Sequence, residues 1–208
     1  MLPELQVNAL VLTVAVVWAV LLILQGVPVT ADLAHPYSTA CGILVLLLAA
    51  FDNWLWHIPV LQGSFVKRPY LGGTWRVEFQ TSWIDPSTGN TPGPLAGFMI
   101  VRQTYSDITM TFFTRESSSQ FVADELTVGP DGRFVVFAVY QNEPKAQVRH
   151  RSPIHYGALK MIVQGSPPTG IEGVYWTDRL TRGDIRLFDR RYSRYDTFEA
   201  AATAYGID

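Results

Sequence analysis

The sequence predicts an all-β fold, an eight-stranded up-and-down β-barrel, preceded by two N-terminal transmembrane helices. Three observations carry this. The first 66 of 208 residues contain three acids (Glu4, Asp32, Asp52) and no Lys or Arg, whereas all 16 basic residues lie from Lys67 onward. From Gly73 on, apolar and polar residues alternate with period two, which is the pattern of half-buried strands. Short clusters of Gly, Pro, Asp and Ser break that alternation at regular intervals, as turns do. The charged fraction of 16%, against a usual value of about 25%, is therefore an average over two different objects joined near residue 65.

Residues 5–31 carry no charge, and residues 9–24 are almost purely Val, Leu, Ile, Ala and Trp. A span needs roughly 20 apolar residues. A secretory signal peptide is the competing reading, but it calls for a basic leading segment and a shorter apolar run, and residues 1–4 hold no base. A second apolar run begins near Tyr37, passes through residues 42–50 and continues past Asp52 and Asn53 to Val60. Residues 28–36, with Pro28, Asp32 and Pro36, read as the tight connection of a helical hairpin. Residues 1–64 form this membrane part, and residues 65–208 form the soluble domain. Lys67 and Arg68 directly follow the second span, so the positive-inside rule places residues 67–208 and the N-terminus in the cytoplasm. Trp54 and Trp56 suit an interfacial aromatic belt. Asp52 has two readings: a hydrated interfacial carboxylate, or a membrane residue that faces another helix and helps assemble several chains. Cys41 is the single cysteine, which excludes an intrachain disulfide.

The strands follow in order. Trp75, Val77 and Phe79 alternate with Arg76, Glu78 and Gln80. Further strands are expected at residues 96–104, 107–115, 119–128, 133–141, 155–164, 171–179 and 184–190. Two connections are longer, at 85–94 and 142–153, and helical character returns in the Ala-rich tail after Phe198. Eight short strands in sequence argue for a meander, and closing it removes two unpaired edges. A small barrel of this size either fills with side chains or holds one small ligand. Tyr175, Thr177 and Arg179 share one face of a strand, while Gln103, Tyr105, Thr109, Thr111 and Arg115 recur around another pair. Such polar and aromatic content suits a lined pocket better than a dry core. A sandwich of two four-stranded sheets satisfies the same pattern.

Catalytic and metal constellations are missing from the sequence. His35, His57, His150 and His155 show no metal-ligand spacing, and there is neither a nucleophile elbow nor a phosphate-cradling glycine loop. The expectation is a non-enzyme without metal or cofactor. Basic residues cluster at Arg149-His150-Arg151 and at Arg179 and Arg182, with Arg186, Arg190, Arg191 and Arg194 behind. Planar guanidinium groups match phosphate oxygens. Trp75, Tyr140, Tyr156 and Tyr175 offer stacking faces. Asn142, Gln103 and residues 117–119 can read base edges. Residues 67–208 hold 16 bases and 15 acids, too balanced for a nucleic-acid polymer but sufficient for a small phosphate-bearing ligand. Lipid contact or simple solubility is the other reading of these arginines.

Several motifs lie within this frame: Leu71-Gly-Gly-Thr-Trp75, Gln103-Thr-Tyr105, Tyr140-Gln-Asn-Glu-Pro144, His155-Tyr-Gly157 and Gly173-Val-Tyr-Trp-Thr-Asp-Arg179-Leu-Thr-Arg-Gly183. Together with two spans and a barrel, they resemble the two-transmembrane, β-strand-rich minimal-barrel effectors of bacterial CBASS anti-phage defence. The resemblance covers essentially the whole chain. It implies a barrel that binds a cyclic dinucleotide, homo-oligomerises on binding, and lets inner-membrane helices disrupt the bilayer in abortive infection. It implies ligand contacts at Trp75, Gln103, Tyr140, Asn142, His155, Tyr175, Arg179 and Thr181; charge alone adds Arg149 and Arg151. A core role is the other reading of Trp75. A lipocalin-like carrier of an apolar ligand and a scaffold barrel are the alternatives. The first calls for an interior without arginine and the second for a filled interior.

Overall fold

The computed structural model describes residues 15–16, 18–20, 23–24, 31–63, 66–85 and 88–207. It divides into two compact units: residues 1–67 with 104–106, and residues 68–103 with 107–208.

In the first unit, helix α1 spans Ala31–Asn53 and a single 3-10 turn follows at Leu55–His57. The first expected span lies largely outside the described residues. The connection expected at 28–36 is instead helical from Ala31 on, in keeping with the helix preference of Ala31, Leu33 and Ala34. The same early start brings Asp32, His35, Ser38 and Thr39 into α1, so its unbroken apolar stretch is confined to residues 40–51. Among the described residues no helix is long and apolar enough to cross a membrane. Residues 42–49 nonetheless expose their side chains around the helix, Leu46 by 71%.

Asp52 is half-buried: its Oδ1 accepts the Ser106 N–H at 2.9 Å, and its carbonyl accepts the Tyr105 N–H at 2.9 Å. Trp56 departs from an aromatic belt: it is fully buried, with the Tyr105 ring edge-on at 5.9 Å, while Trp54 is exposed.

The second unit is a closed barrel of eight strands: β1 (Gly73–Phe79), β2 (Leu95–Gln103), β3 (Ile108–Phe113), β4 (Ser117–Val128), β5 (Phe134–Pro144), β6 (His155–Gln164), β7 (Gly170–Thr177) and β8 (Arg182–Arg191). Each strand pairs antiparallel with its neighbour in sequence, and β8 returns to β1, so the sandwich alternative is set aside. The expected boundaries hold to within a few residues because inward positions alternate along most of the strand length, β2 being buried on both faces over residues 97–101. On β6, for example, His155, Gly157, Leu159, Met161 and Val163 point in. Curvature comes from bulges between Thr74 and Arg76 and between Phe121 and Ala123. It also comes from Gly183, where a side chain would collide with the Gln80 carbonyl. Gly183 is therefore a close-approach glycine inside a strand, not a turn residue.

One half of the interior is packed solid by Leu71, Trp75, Val101, Met110, Val136, Met161 and Leu187, all nearly inaccessible. Helix α2 (Phe198–Tyr205) packs outside on Phe98 through Ala201 and Ala202. Thr197 caps its start by accepting the Ala200 N–H, and left-handed Gly206 ends it.

The β3–β4 ladder pairs only Thr111–Phe113 with Ser118–Gln120, and beyond it the Met110 N–H donates to Asp124 Oδ2 at 2.9 Å. Burial pushes the Asp124 carboxyl up to about 6; the Met110 N–H opposes this and Asp107 adds to it. Such a group binds more protons folded than unfolded, so its contribution to stability is full below about pH 4 and is lost as pH rises through about 6. Asp124→Asn keeps the acceptor and removes this slope. Thermal melts of the two proteins between pH 4 and 7 check it: their difference is expected to change across that window and to level off above it.

Candidate ligand-binding site

The other half of the barrel is hollow. A cavity of about 570 Å³ opens where β1 ends and β2 begins, among the β3–β4, β5–β6 and β7–β8 connections. That is within the range of about 300–1,000 Å³ typical of small-molecule sites. Met99, Leu159 and Ile185 form its apolar floor. Its walls are aromatic: Phe79 meets Phe112 edge-on at 5.5 Å and Tyr175 at 6.2 Å, while Phe121 and Tyr140 tilt together at 5.4 Å. Gly157 makes room on β6 for the Tyr140 ring, which a side chain there would strike. These faces suit flat heterocycles.

Polar groups gather toward the mouth. Asn142 donates from Nδ2 to Ser117 Oγ (3.1 Å) and Ser119 Oγ (2.9 Å). The Thr177 and Thr181 hydroxyls pair at 2.7 Å. Arg179 donates from Nη1 to Ser152 Oγ at 3.1 Å, and its buried Nε has no partner. Among the described residues no carboxylate lies within ion-pair distance of Arg179. Arg151, by contrast, is paired with Glu116 at 2.6 Å. Arg115 also lines the cavity, with its guanidinium 5.8 Å from the Phe198 ring.

Burial raises the pKa of Tyr140 and of Tyr175, so both phenols stay protonated. Burial, helped by the Arg179 charge, lowers that of His155, whose Nδ1 faces the Pro153 carbonyl at 3.0 Å. The imidazole is therefore neutral at pH 7. Among the described residues no cluster of His, Cys, Asp and Glu is arranged to hold a metal ion. The arrangement is one of stacking faces, fixed hydrogen-bonding groups and a cation without a carboxylate partner, which suits the binding of a flat, anionic ligand.

Seven of the ten ligand residues expected from sequence line this cavity: Tyr140, Asn142, Arg151, His155, Tyr175, Arg179 and Thr181. Three do not. Trp75 is fully buried at the packed end, its Nε1 donating to the Leu71 carbonyl at 2.8 Å and the Arg190 guanidinium 5.0 Å from its ring. Gln103 holds the segment leading into β1, accepting the Leu71 N–H at 2.7 Å and donating to the Pro69 carbonyl at 3.0 Å. Arg149 lies outside the cavity, paired with Glu143 at 2.8 Å. Arg190 and Arg191 are not free surface cations either. The first donates to the Tyr70 carbonyl, and the second donates to Ala204 and lies over Tyr205. Phe112 and Phe121 are wall residues that sequence reasoning passed over. The alternation Ser117, Ser119, Phe121 was the available signal for the latter.

A protein-family model described as "Cap15, cyclic dinucleotide receptor domain" matches residues 66–189. That is more than half of the chain and takes in the barrel from β1 into β8. CD-NTase-associated protein 15 of Staphylococcus schleiferi is 28% identical over 87 residues, which is 42% of this chain and 46% of that relative. The aligned segment thus spans less than half the length of that relative. Helices α1 and α2 fall outside the residues matched by the family model. The family resemblance carried by the sequence motifs is borne out.

Proposed function

The chain belongs to the Cap15 cyclic dinucleotide receptor family, and from that premise we propose that it is a CBASS anti-phage effector gated by a cyclic dinucleotide. The ligand enters the open end of the barrel, stacks its bases on the aromatic walls and places a phosphate against Arg179. The observation that carries this reading is the buried, unpartnered Nε of Arg179 in an aromatic cavity of ligand size. A guanidinium so placed lacks an acidic partner that a phosphodiester supplies.

Ligand binding then favours association of barrels, because the ligand interacts differently with the dispersed and assembled states. The outer face of β5, β6 and β7 supports this step. Phe137, Val139, Tyr156, Val174 and Trp176 are all exposed there, and the ladder sets Val139 beside Ala158 and Ala158 beside Trp176. Lys160 interrupts this surface between Phe137 and Val174, but exposed apolar side chains gathered on one face in this way are a mark of an interaction surface. The N-terminal segment anchors the chain in the bacterial inner membrane with the barrel in the cytoplasm, and assembly disrupts the bilayer. The apolar side chains exposed over residues 42–49 of α1 and the absence of bases before Lys67 support this placement. Anchoring raises the local concentration of neighbours, so a modest change in barrel affinity suffices.

A carrier of apolar ligands would exclude arginine from its interior, and Arg179 lines the cavity. A filled scaffold barrel would lack the cavity. The test is titration calorimetry of the full chain in detergent against a panel of cyclic dinucleotides, followed by dye leakage from vesicles carrying the chain. At least one dinucleotide is expected to bind and to trigger leakage. Failure of every member to bind the folded protein overturns the reading.

A further inference from the structure

The base-reading chemistry of the cavity is set by two side chains that face each other across a ladder. Asn142 on β5 and His155 on β6 are register partners, both pointing inward and both lining the cavity. Cross-strand partners hold their side chains about 5 Å apart, so whatever they offer is offered together.

The hydrogen-bond network fixes what Asn142 offers. The Ser117 N–H donates to Thr114 Oγ1 at 3.0 Å, and the Thr114 hydroxyl donates to the Ser117 carbonyl at 3.3 Å. The Ser117 hydroxyl lies 2.9 Å from Thr114 Oγ1. With the Thr114 proton committed to the Ser117 carbonyl, Ser117 is the hydroxyl left to donate in that contact, which turns its lone pairs toward Asn142. Asn142 Nδ2 therefore donates to Ser117 and, with its second hydrogen, to Ser119. Both amide hydrogens are used. Among the described residues nothing donates to Asn142 Oδ1, and that atom is not sealed from the cavity.

His155 is fixed in the same sense. A carbonyl accepts and never donates, so Nδ1, facing the Pro153 carbonyl, carries the ring proton. In the neutral ring Nε2 is then an acceptor. The pair offers two acceptors from facing positions of the ladder, and Tyr140, whose ring tilts against Phe121, shares the inward face of β5 with Asn142.

We propose, on the reading of the cavity as a cyclic dinucleotide site, that Asn142 and His155 are its specificity residues and that they seat guanine. The Watson–Crick edge of guanine carries N1–H and the N2 amino group as neighbouring donors, one for each acceptor. Adenine brings one donor, its N6 amino group, but sets its N1 acceptor against the other acceptor. Uracil brings one N–H flanked by two carbonyls. A site built of acceptors rejects both through unpaired groups.

The experiment is calorimetry of the full chain in detergent at pH 7.5 against cyclic di-GMP, cyclic di-AMP, cyclic di-UMP and the mixed cyclic dinucleotides of the same bases, each in every linkage isomer. Cyclic di-GMP is expected to bind about tenfold or more tighter than cyclic di-UMP at pH 7.5. Asn142→Leu is expected to erase that preference with less than a threefold change for the uracil ligand. His155→Phe removes the Nε2 acceptor and keeps a flat ring, so the guanine preference is expected to shrink in it as well. If Asn142→Leu lowers the melting temperature too far to titrate, the His155→Phe series decides. Tighter binding of the adenine or uracil ligand overturns the guanine seat and leaves the proposed function standing. An order and spread of affinities unchanged by His155→Phe removes His155 from the pair. Failure of every dinucleotide, homogeneous and mixed, to bind is failure of the proposed function itself.

Discussion

Arg179→Met is expected to weaken cyclic dinucleotide binding by about 100-fold or more, while leaving the ligand-free barrel as stable as before or more so. The two effects have one cause. The Arg179 side chain is tied down at a single point, Nη1 on Ser152 Oγ, and its Nε is buried without a partner. A buried donor left unmet costs about 1–3 kcal/mol. Methionine removes that donor and fills much of the same volume with apolar atoms. A bound phosphate, by contrast, accepts from Nε and meets the charge, and that gain exists only in the complex. Arg179→Lys tests the geometry: it keeps the charge but not the planar fork, so it is expected to recover part of the affinity and not all of it. Calorimetry gives the affinity and thermal melts give the stability. A loss of melting temperature as large as the loss of binding would mean that Arg179 holds the barrel together rather than the ligand.

The contrast among the arginines shows where sequence reading stops. Arg149, Arg151 and Arg179 look alike as residues in a basic stretch near strand ends. Arg149 is neutralised by Glu143 and Arg151 by Glu116, pairs made six and 35 residues apart in sequence. The second partner is set by tertiary contact, which composition does not encode, so the unpaired member of the trio is visible only in the folded chain. The strands were legible because each obeys one local rule: Trp75, Val77 and Phe79 go in, and Arg76 and Glu78 go out. The second half of β4 was not, because Val122 adds a residue at the bulge and moves the inward set from the odd positions Ser119 and Phe121 to even ones such as Leu126. The placement of α1 failed for another reason. Hydropathy marks where a helix is apolar, and Asp32 and His35 are polar without being helix breakers, so the helix runs past the apolar limit to Ala31.

Depth along a strand is the further quantity that alternation leaves open, and Trp75 is its test. Trp75 and Tyr175 are both inward aromatics with a hydrogen-bonding group, and period-two patterning treats them alike. The antiparallel register sets them apart. Trp75 pairs with Met99 toward the start of β1, and Phe79, four residues further along, meets the Tyr175 ring at the cavity. Trp75 is thus part of the packed half, with no exposure, its N–H satisfied by Leu71 and its face covered by Arg190. Trp75→Ala is expected to cost about 3–5 kcal/mol of stability, from lost burial and the void left between strands that cannot collapse inward. Trp75→Phe, which keeps most of the volume, is expected to cost clearly less. Ligand affinity of whatever fraction stays folded is expected to be unchanged in both, because no wall of the cavity moves. Thermal melts and calorimetry below the melting temperature separate the two quantities. A Trp75→Ala protein that melts normally yet binds tenfold more weakly would return Trp75 to the ligand. The opposite result locates the ligand's whole footprint in the half of the barrel where Asn142, His155 and Arg179 converge.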